Sequence, residues 1–406
     1  MSTHAALPSR RHDIDALRVL AFGLLILYHV AMFYVADWGW HVKSAYLSET
    51  LQLPMMLVNQ WRMPLIFLLS GVAISFVVGK YRRGELAWRR ISRLLLPLAF
   101  GMAVVIPPQA YYQALANGAI EPGYGQFLWR YFSFQGWPPG AFDGSDIGIT
   151  WNHLWYLPYL LAYTLVLIAL LPLLRGPGAR LVTRARSLRG IWLIVLPTLP
   201  LMLYGLTLFP LFGGVSHNFY SDGYAHALYF SFFFYGFVLG KDPGIWAEIA
   251  RLRWVTLVLG VISFVSFMGI NAILPDSPSP AQSALQLVVI YLNRWIWLLL
   301  VLGWAHHALN RPFRWLPQAN RAVYPWYVLH QSITVVVGYE LGRLSLGPVI
   351  EPTLVLGLTV LGCALGYALI ARVRWLQPLF GVDAVPTAPD RDGRDASSAR
   401  EALPAG

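Results

Sequence analysis

Apolar runs about twenty residues long, the length that carries an α-helix across the hydrocarbon core of a bilayer, recur through this chain and limit what it can fold into. They lie at roughly 16–36, 55–79, 94–114, 153–174, 190–211, 223–240, 254–274, 283–306, 322–344 and 352–372. In lipid such segments must satisfy every backbone polar group internally, which they do as helices. The expected fold is therefore all-α: a polytopic integral membrane protein of about ten transmembrane helices. Charged residues are only 12% of the 406, against about 25% in a soluble domain, so a soluble enzyme is excluded.

The connecting segments orient the bundle. Basic residues gather in alternate loops, with Lys80, Arg82, Arg83, Arg89, Arg90 and Arg93 in one and Arg175, Arg180, Arg184, Arg186 and Arg189 in the next but one. The positive-inside rule places those loops, and with an even number of spans both termini, in the cytoplasm. The formal net charge of +11 thus reflects orientation; no nucleic-acid signature accompanies it. Arg10 and Arg11 precede the first run as in a signal peptide, but Asp13, Asp15 and Arg18 interrupt it and no cleavage site follows, so it reads as an uncleaved first helix. Residues 1–12 are expected to be a cytoplasmic segment and 13–380 a membrane-embedded domain. Residues 381–406, charged and without apolar periodicity, are expected to be a disordered cytoplasmic tail. The outer segment at about 115–152, rich in Gly, Pro and aromatics, suits a folded loop over a cavity mouth. The lone Cys363 excludes an intramolecular disulfide and a cysteine-rich metal site, and no metal ligand set is read.

Ionisable residues inside membrane spans mark functional sites by default. Arg18 and His29 are eleven positions apart, three helical turns plus about 20°, so they share a helix face at depths differing by roughly 16 Å. Asp15 stands at the i−3 position from Arg18, where an acid can hold a guanidinium. His29 suits a general base acting on a hydroxyl, with Arg18 orienting the site or stabilising developing charge. Arg62, His153, His226, Arg294, His330 and Glu340 also fall within spans; for Arg294 and Glu340, near span ends, the weight lies with packing or snorkelling. Ser70 and Gly71 read as small residues that permit close helix packing. Arg89, Arg90 and Arg93 open the third span, a place suited to holding phosphates.

These residues resemble the acyltransferase 3 family of integral membrane acyltransferases: an Arg, ten residues and a His in the first span, Ile66 to Gly71 in the second, Arg90-x-x-Arg93 with Pro97 beyond, and a late Tyr327-Val328-Leu329-His330. Within that family the order of Trp40-His41-Val42 with Ser44, Arg62-Met63, His153-Leu154-Trp155 and Leu329-His330 resembles the glucan biosynthesis protein C branch, associated with succinylation of periplasmic glucans. There the late helix tends to carry two histidines; here Gln331 follows His330. The resemblance implies a multi-pass protein of the bacterial inner membrane that moves an acyl group, succinyl or acetyl, from cytoplasmic acyl-CoA to a carbohydrate hydroxyl at the outer face. It implies His29, Arg18 and Asp15 as catalytic residues, Arg89, Arg90 and Arg93 at the donor, and Arg62, His41, His153, Trp155 and His330 at the substrate. Partners are the bilayer, the acyl-CoA co-substrate and the carbohydrate; no permanently bound cofactor is expected. A transporter using intramembrane Arg, His and Glu is the alternative, disfavoured because no inverted repeat is found.

Overall fold

A computed structural model describes residues 11–275 and 278–382, so the expected tail lies, beyond Val382, outside the described residues. Among these every regular element is helical. The long elements are α1 His12–Ala31, α2 Gln52–Val77, α3 Arg83–Ala116, α4 Tyr156–Arg175, α5 Ile191–Thr207, α6 Gly223–Leu239, α7 Arg253–Ile273, α8 Pro280–Leu309, α9 Leu316–Gly342 and α10 Ile350–Arg372. Seven of the described helices are long and apolar enough to cross a membrane, and up to eight if α5 is joined to Ala179–Arg186 across a 116° bend. Of the rest, α6 has 17 residues. Helix α9 buries His330, Gln331, Ser332 and Thr334, and this polarity has a structural reason: the helix runs through the interior, against α1, α10 and the second half of α3. By contrast α7 and α10 turn Val258, Val261, Ile262 and Val265, and Leu361, Leu365 and Leu369, outward, an apolar surface suited to lipid. The chain is a multi-pass helical membrane protein.

Helices α2 and α6 cross in close backbone contact. A Cβ added at Gly71 would stand 1.8 Å from the Phe233 carbonyl oxygen, and one at Gly236 would stand 1.9 Å from that of Leu68. Both obstacles are backbone, so neither can move aside. Gly71→Ala or Gly236→Ala should therefore cost at least the roughly 1–3 kcal/mol of an overpacked core and lower the melting temperature of the detergent-solubilised protein. Gly23→Ala, where nothing lies within 4 Å, should leave it unchanged; equal melting of all three would refute the close crossing.

Three connections shape the end of the bundle that holds the site. After α1, the half-buried Lys43 brings its ammonium to the carbonyls of Met32 (2.8 Å) and Val35, in the turn that follows the helix, and burial lowers its pKa. The same segment is tied to α10 by Ser44 Oγ donating to Glu351 (2.6 Å). The segment after α3 has its own apolar core, in which Phe127 and Tyr131 of the helix Tyr124–Phe132 pack with Tyr111, Phe142 and Trp137. Asp222 folds the segment before α6, accepting from the Ser216 and His217 amides and the Tyr159 hydroxyl. At the opposite end Asp13 joins α1 to α8, held by Arg11 (2.6 and 2.8 Å) and His306 (2.7 Å).

Candidate active site

These connections and helices α1, α2, α4, α6, α8 and α9 enclose a cavity of about 1020 Å³. His29, two residues before the end of α1, is on its wall. Behind it, fully buried, is His330 of α9, with His29 Nδ1 and His330 Nε2 2.8 Å apart. The far nitrogen of His330, Nδ1, meets only backbone carbonyls, those of Tyr327 (2.7 Å) and Trp326 (3.2 Å). Carbonyls accept and never donate, so the hydrogen is on His330 Nδ1. In the neutral ring its Nε2 is then the acceptor, and the hydrogen between the rings belongs to His29 Nδ1. It follows that His29 Nε2, which has no protein partner among the described residues, carries the lone pair. A helix carbonyl thus dictates, through two imidazoles, which nitrogen of His29 can take a proton.

The neighbouring polar groups fall into satisfied and unsatisfied sets. His41 is satisfied: Nδ1 donates to Gln113 (2.8 Å) and Asp143 (3.0 Å), while Nε2 accepts from Gln331 (2.8 Å). Partial enclosure would raise the pKa of Asp143, but the bonds from His41 and Gln113 outweigh it and hold the carboxyl below its usual range. Asn152 accepts from Gln331 (3.0 Å) and Gln109, which leaves its Nδ2 without a partner. His153 donates from Nε2 to the Val328 carbonyl (3.0 Å), which leaves its Nδ1 a buried acceptor, also unpartnered. A free donor and a free acceptor on adjacent residues of the wall suit a hydroxyl, which can serve both.

Of the residues expected at the substrate, Arg62, His41, His153 and Trp155 line the cavity with His29. His330 does not; its place is behind His29. Trp155 stacks on His217 (4.2 Å between ring centres). The cavity wall stops short of Arg18, because three helical turns separate it from His29. Instead Arg18 lies within electrostatic range of Tyr156 and Arg93, and Tyr156 in turn of Arg90. Tyr156, bonded to Ser70, belongs to the cavity wall as well, so it stands between the histidines and the basic cluster. Asp15 is 3.9 Å from Arg18, as its spacing implied. Arg89 is turned to the surface, paired with Glu85 (3.0 Å) and lying over Tyr81.

Sequence reasoning missed several members. Gln109, Gln113, Asp143 and Asn152 carry no motif, and Gln331 stands out in the sequence only as the residue after His330, where the branch tends to have a second histidine. Its place near a span end assigns Arg294 to packing or snorkelling, whereas it lines the cavity. A signal for it existed. Pro64, inside α2, has no N–H to offer the carbonyl of Gln60 one turn earlier, and Arg294 Nε supplies the missing bond (3.1 Å). His226 and Glu340 are not on the cavity wall: His226 bonds to the Phe219 carbonyl (2.7 Å) and Tyr163, and Glu340 pairs with Arg343 (3.3 Å).

Fold and site together define a multi-pass membrane protein with a polar, histidine-bearing cavity between its helices. The acyltransferase domain family model matches residues 11–370, and the chain belongs to that family, acyltransferase 3, as a membrane acyltransferase. Glucans biosynthesis protein C from three strains of Escherichia coli K12 is 24% identical over 155 residues, 38% of this chain. The match spans 37% of those relatives' own length. No solved structure matches.

Proposed function

We propose that this protein is an O-acyltransferase of the bacterial inner membrane that moves an acyl group from cytoplasmic acyl-CoA to a hydroxyl of a periplasmic or envelope carbohydrate, with His29 as general base. Its ten helical segments all span in this reading, with both termini in the cytoplasm, as the basic loops favour. The observation that carries the proposal is the hydrogen-bond chain from the Tyr327 carbonyl through His330 to His29, which leaves an acceptor nitrogen at the cavity wall. There His29 Nε2 takes the proton of the acceptor hydroxyl as its oxygen attacks the activated acyl carbonyl. The C–O bond forms, the C–S bond breaks, and the proton leaves with the thiolate of coenzyme A. Asn152 Nδ2 and His153 Nδ1 hold the acceptor. Arg90 and Arg93, with Arg18 nearby, attract the donor's phosphates from the other end, and the thioester passes Tyr156 to reach the histidine. Arg89 is left out of the donor site, since Glu85 already holds it.

The test is mass spectrometry of envelope glycans from cells with the gene intact, deleted and restored. A defined acyl increment that disappears on deletion and returns on restoration is the expected outcome. Unchanged modification with altered glycan location would indicate transport instead.

A further inference from the structure

Two guanidinium groups face the cavity without an acid to answer them. Arg62 lies over the Tyr28 ring, its CZ carbon 3.5 Å from the ring centre, and its Nε and Nη1 are buried with no hydrogen-bond partner. Arg294, held to α2 by the Gln60 carbonyl, leaves Nη1 buried and unpartnered too. The Gln60 carbonyl that holds Arg294 is two residues before Arg62 on α2, and both arginines line the cavity, so they flank one part of it. Among the described residues neither is in a salt bridge. The acids nearby are otherwise placed: Asp143 bonds to His41 and Gln113, Asp222 takes two amides and the Tyr159 hydroxyl, and Asp146, which also lines the cavity, is exposed on the loop after α3 and pairs with neither arginine.

Paired charges of one sign with unmade hydrogen bonds are costly in an enclosed site, and an anion that takes those bonds relieves both costs. Planar forks of N–H groups match a carboxylate in particular. We propose that Arg62 and Arg294 form an anion subsite, within the cavity that holds His29, for a carboxylate carried by one of the two substrates. This rests on the transferase reading and adds to it that one reactant is a carboxylic acid besides being an ester or alcohol. The carboxylate belongs either to the far end of the acyl chain or to an acidic sugar of the acceptor.

Two measurements on the purified full-length protein in nanodiscs separate these cases. In the first, malonate, succinate and glutarate are compared with their neutral diamides as stabilisers against heat. At least one diacid should raise the melting temperature where its diamide does not, and the increase should disappear in Arg294→Gln and shrink in Arg62→Lys, which keeps charge but loses the fork. In the second, kcat/KM is compared for malonyl-, succinyl- and glutaryl-CoA against acetyl-CoA, and for uronic-acid-bearing against neutral oligosaccharides. In Arg294→Gln the preference for the acidic partner should fall about ten- to a hundred-fold, the worth of charge-assisted bonds to a guanidinium. A fall in the donor series assigns the carboxylate to the acyl group; a fall in the acceptor series assigns it to the sugar. Equal loss for acidic and neutral partners in both series, or equal effects of diacids and diamides on wild-type melting, would overturn the subsite. Because the melting arm needs no turnover, an inactive preparation counts against the transferase reading alone.

Discussion

Replacing His29 by glutamine should lower turnover about 10²- to 10⁴-fold, the usual contribution of a general base, while leaving the KM for acyl-CoA nearly unchanged. Glutamine keeps an N–H that can donate to His330 but has no basic nitrogen for the hydroxyl proton. The His29 side chain is nearly buried and its rear nitrogen is bonded, so the variant changes the chemistry at one atom and little of the packing. The pH dependence carries the sign. A base acts only when unprotonated, so wild-type kcat should fall as pH falls through the histidine's titration, and that acid limb should vanish in His29→Gln. A glutamine variant that melts normally and transfers acyl groups at the wild-type rate would remove His29 from the mechanism. An acid limb that persists unchanged would move the role to another group, with His153 and its unpartnered Nδ1 first in line.

His330→Ala should produce the second largest loss, roughly ten- to a thousand-fold in kcat, with the KM values for both substrates conserved. His330 lines no part of the cavity and touches it only through His29, so in the proposed mechanism it is a positioning residue. Without it the His29 ring has no acceptor for Nδ1–H, so the hydrogen is free to move to Nε2, the nitrogen that must be bare. Where an aspartate holds a catalytic histidine, the wrong tautomer costs about 10⁴, and a neutral imidazole in that place should matter somewhat less. His330→Gln, whose amide oxygen can accept the same hydrogen, should recover part of the lost rate. A structural role alone predicts loss of thermal stability without this rescue; full activity in His330→Ala would show that the ring pair does not set the tautomer.

Both expectations concern atoms that sequence reasoning could name only as residues. His29 was legible because an ionisable group in an apolar run is expensive, and its spacing from Arg18 gave it a face. The two share a helix, but the cavity wall reaches only His29, since three turns of depth carry Arg18 beyond it. His330 was legible as a polar residue in a late span, but its place behind His29 depends on how α9 meets α1, 301 positions away in sequence. Helix α9 itself reads as a span by pattern and falls short by hydropathy, because so many of its residues serve the interior.

The sequence by itself determined the class of fold, the helical segments, the basic asymmetry of the loops and the closely packed Gly71, since each follows from solvation or sterics acting within a short stretch of chain. Only the tertiary structure decided which polar groups share a cavity, which nitrogen of His29 is bare, and that Arg294 joins Arg62. Those properties depend on hydrogen bonds and charges between helices distant in sequence, and a local pattern does not encode the partner that a distant backbone carbonyl will find.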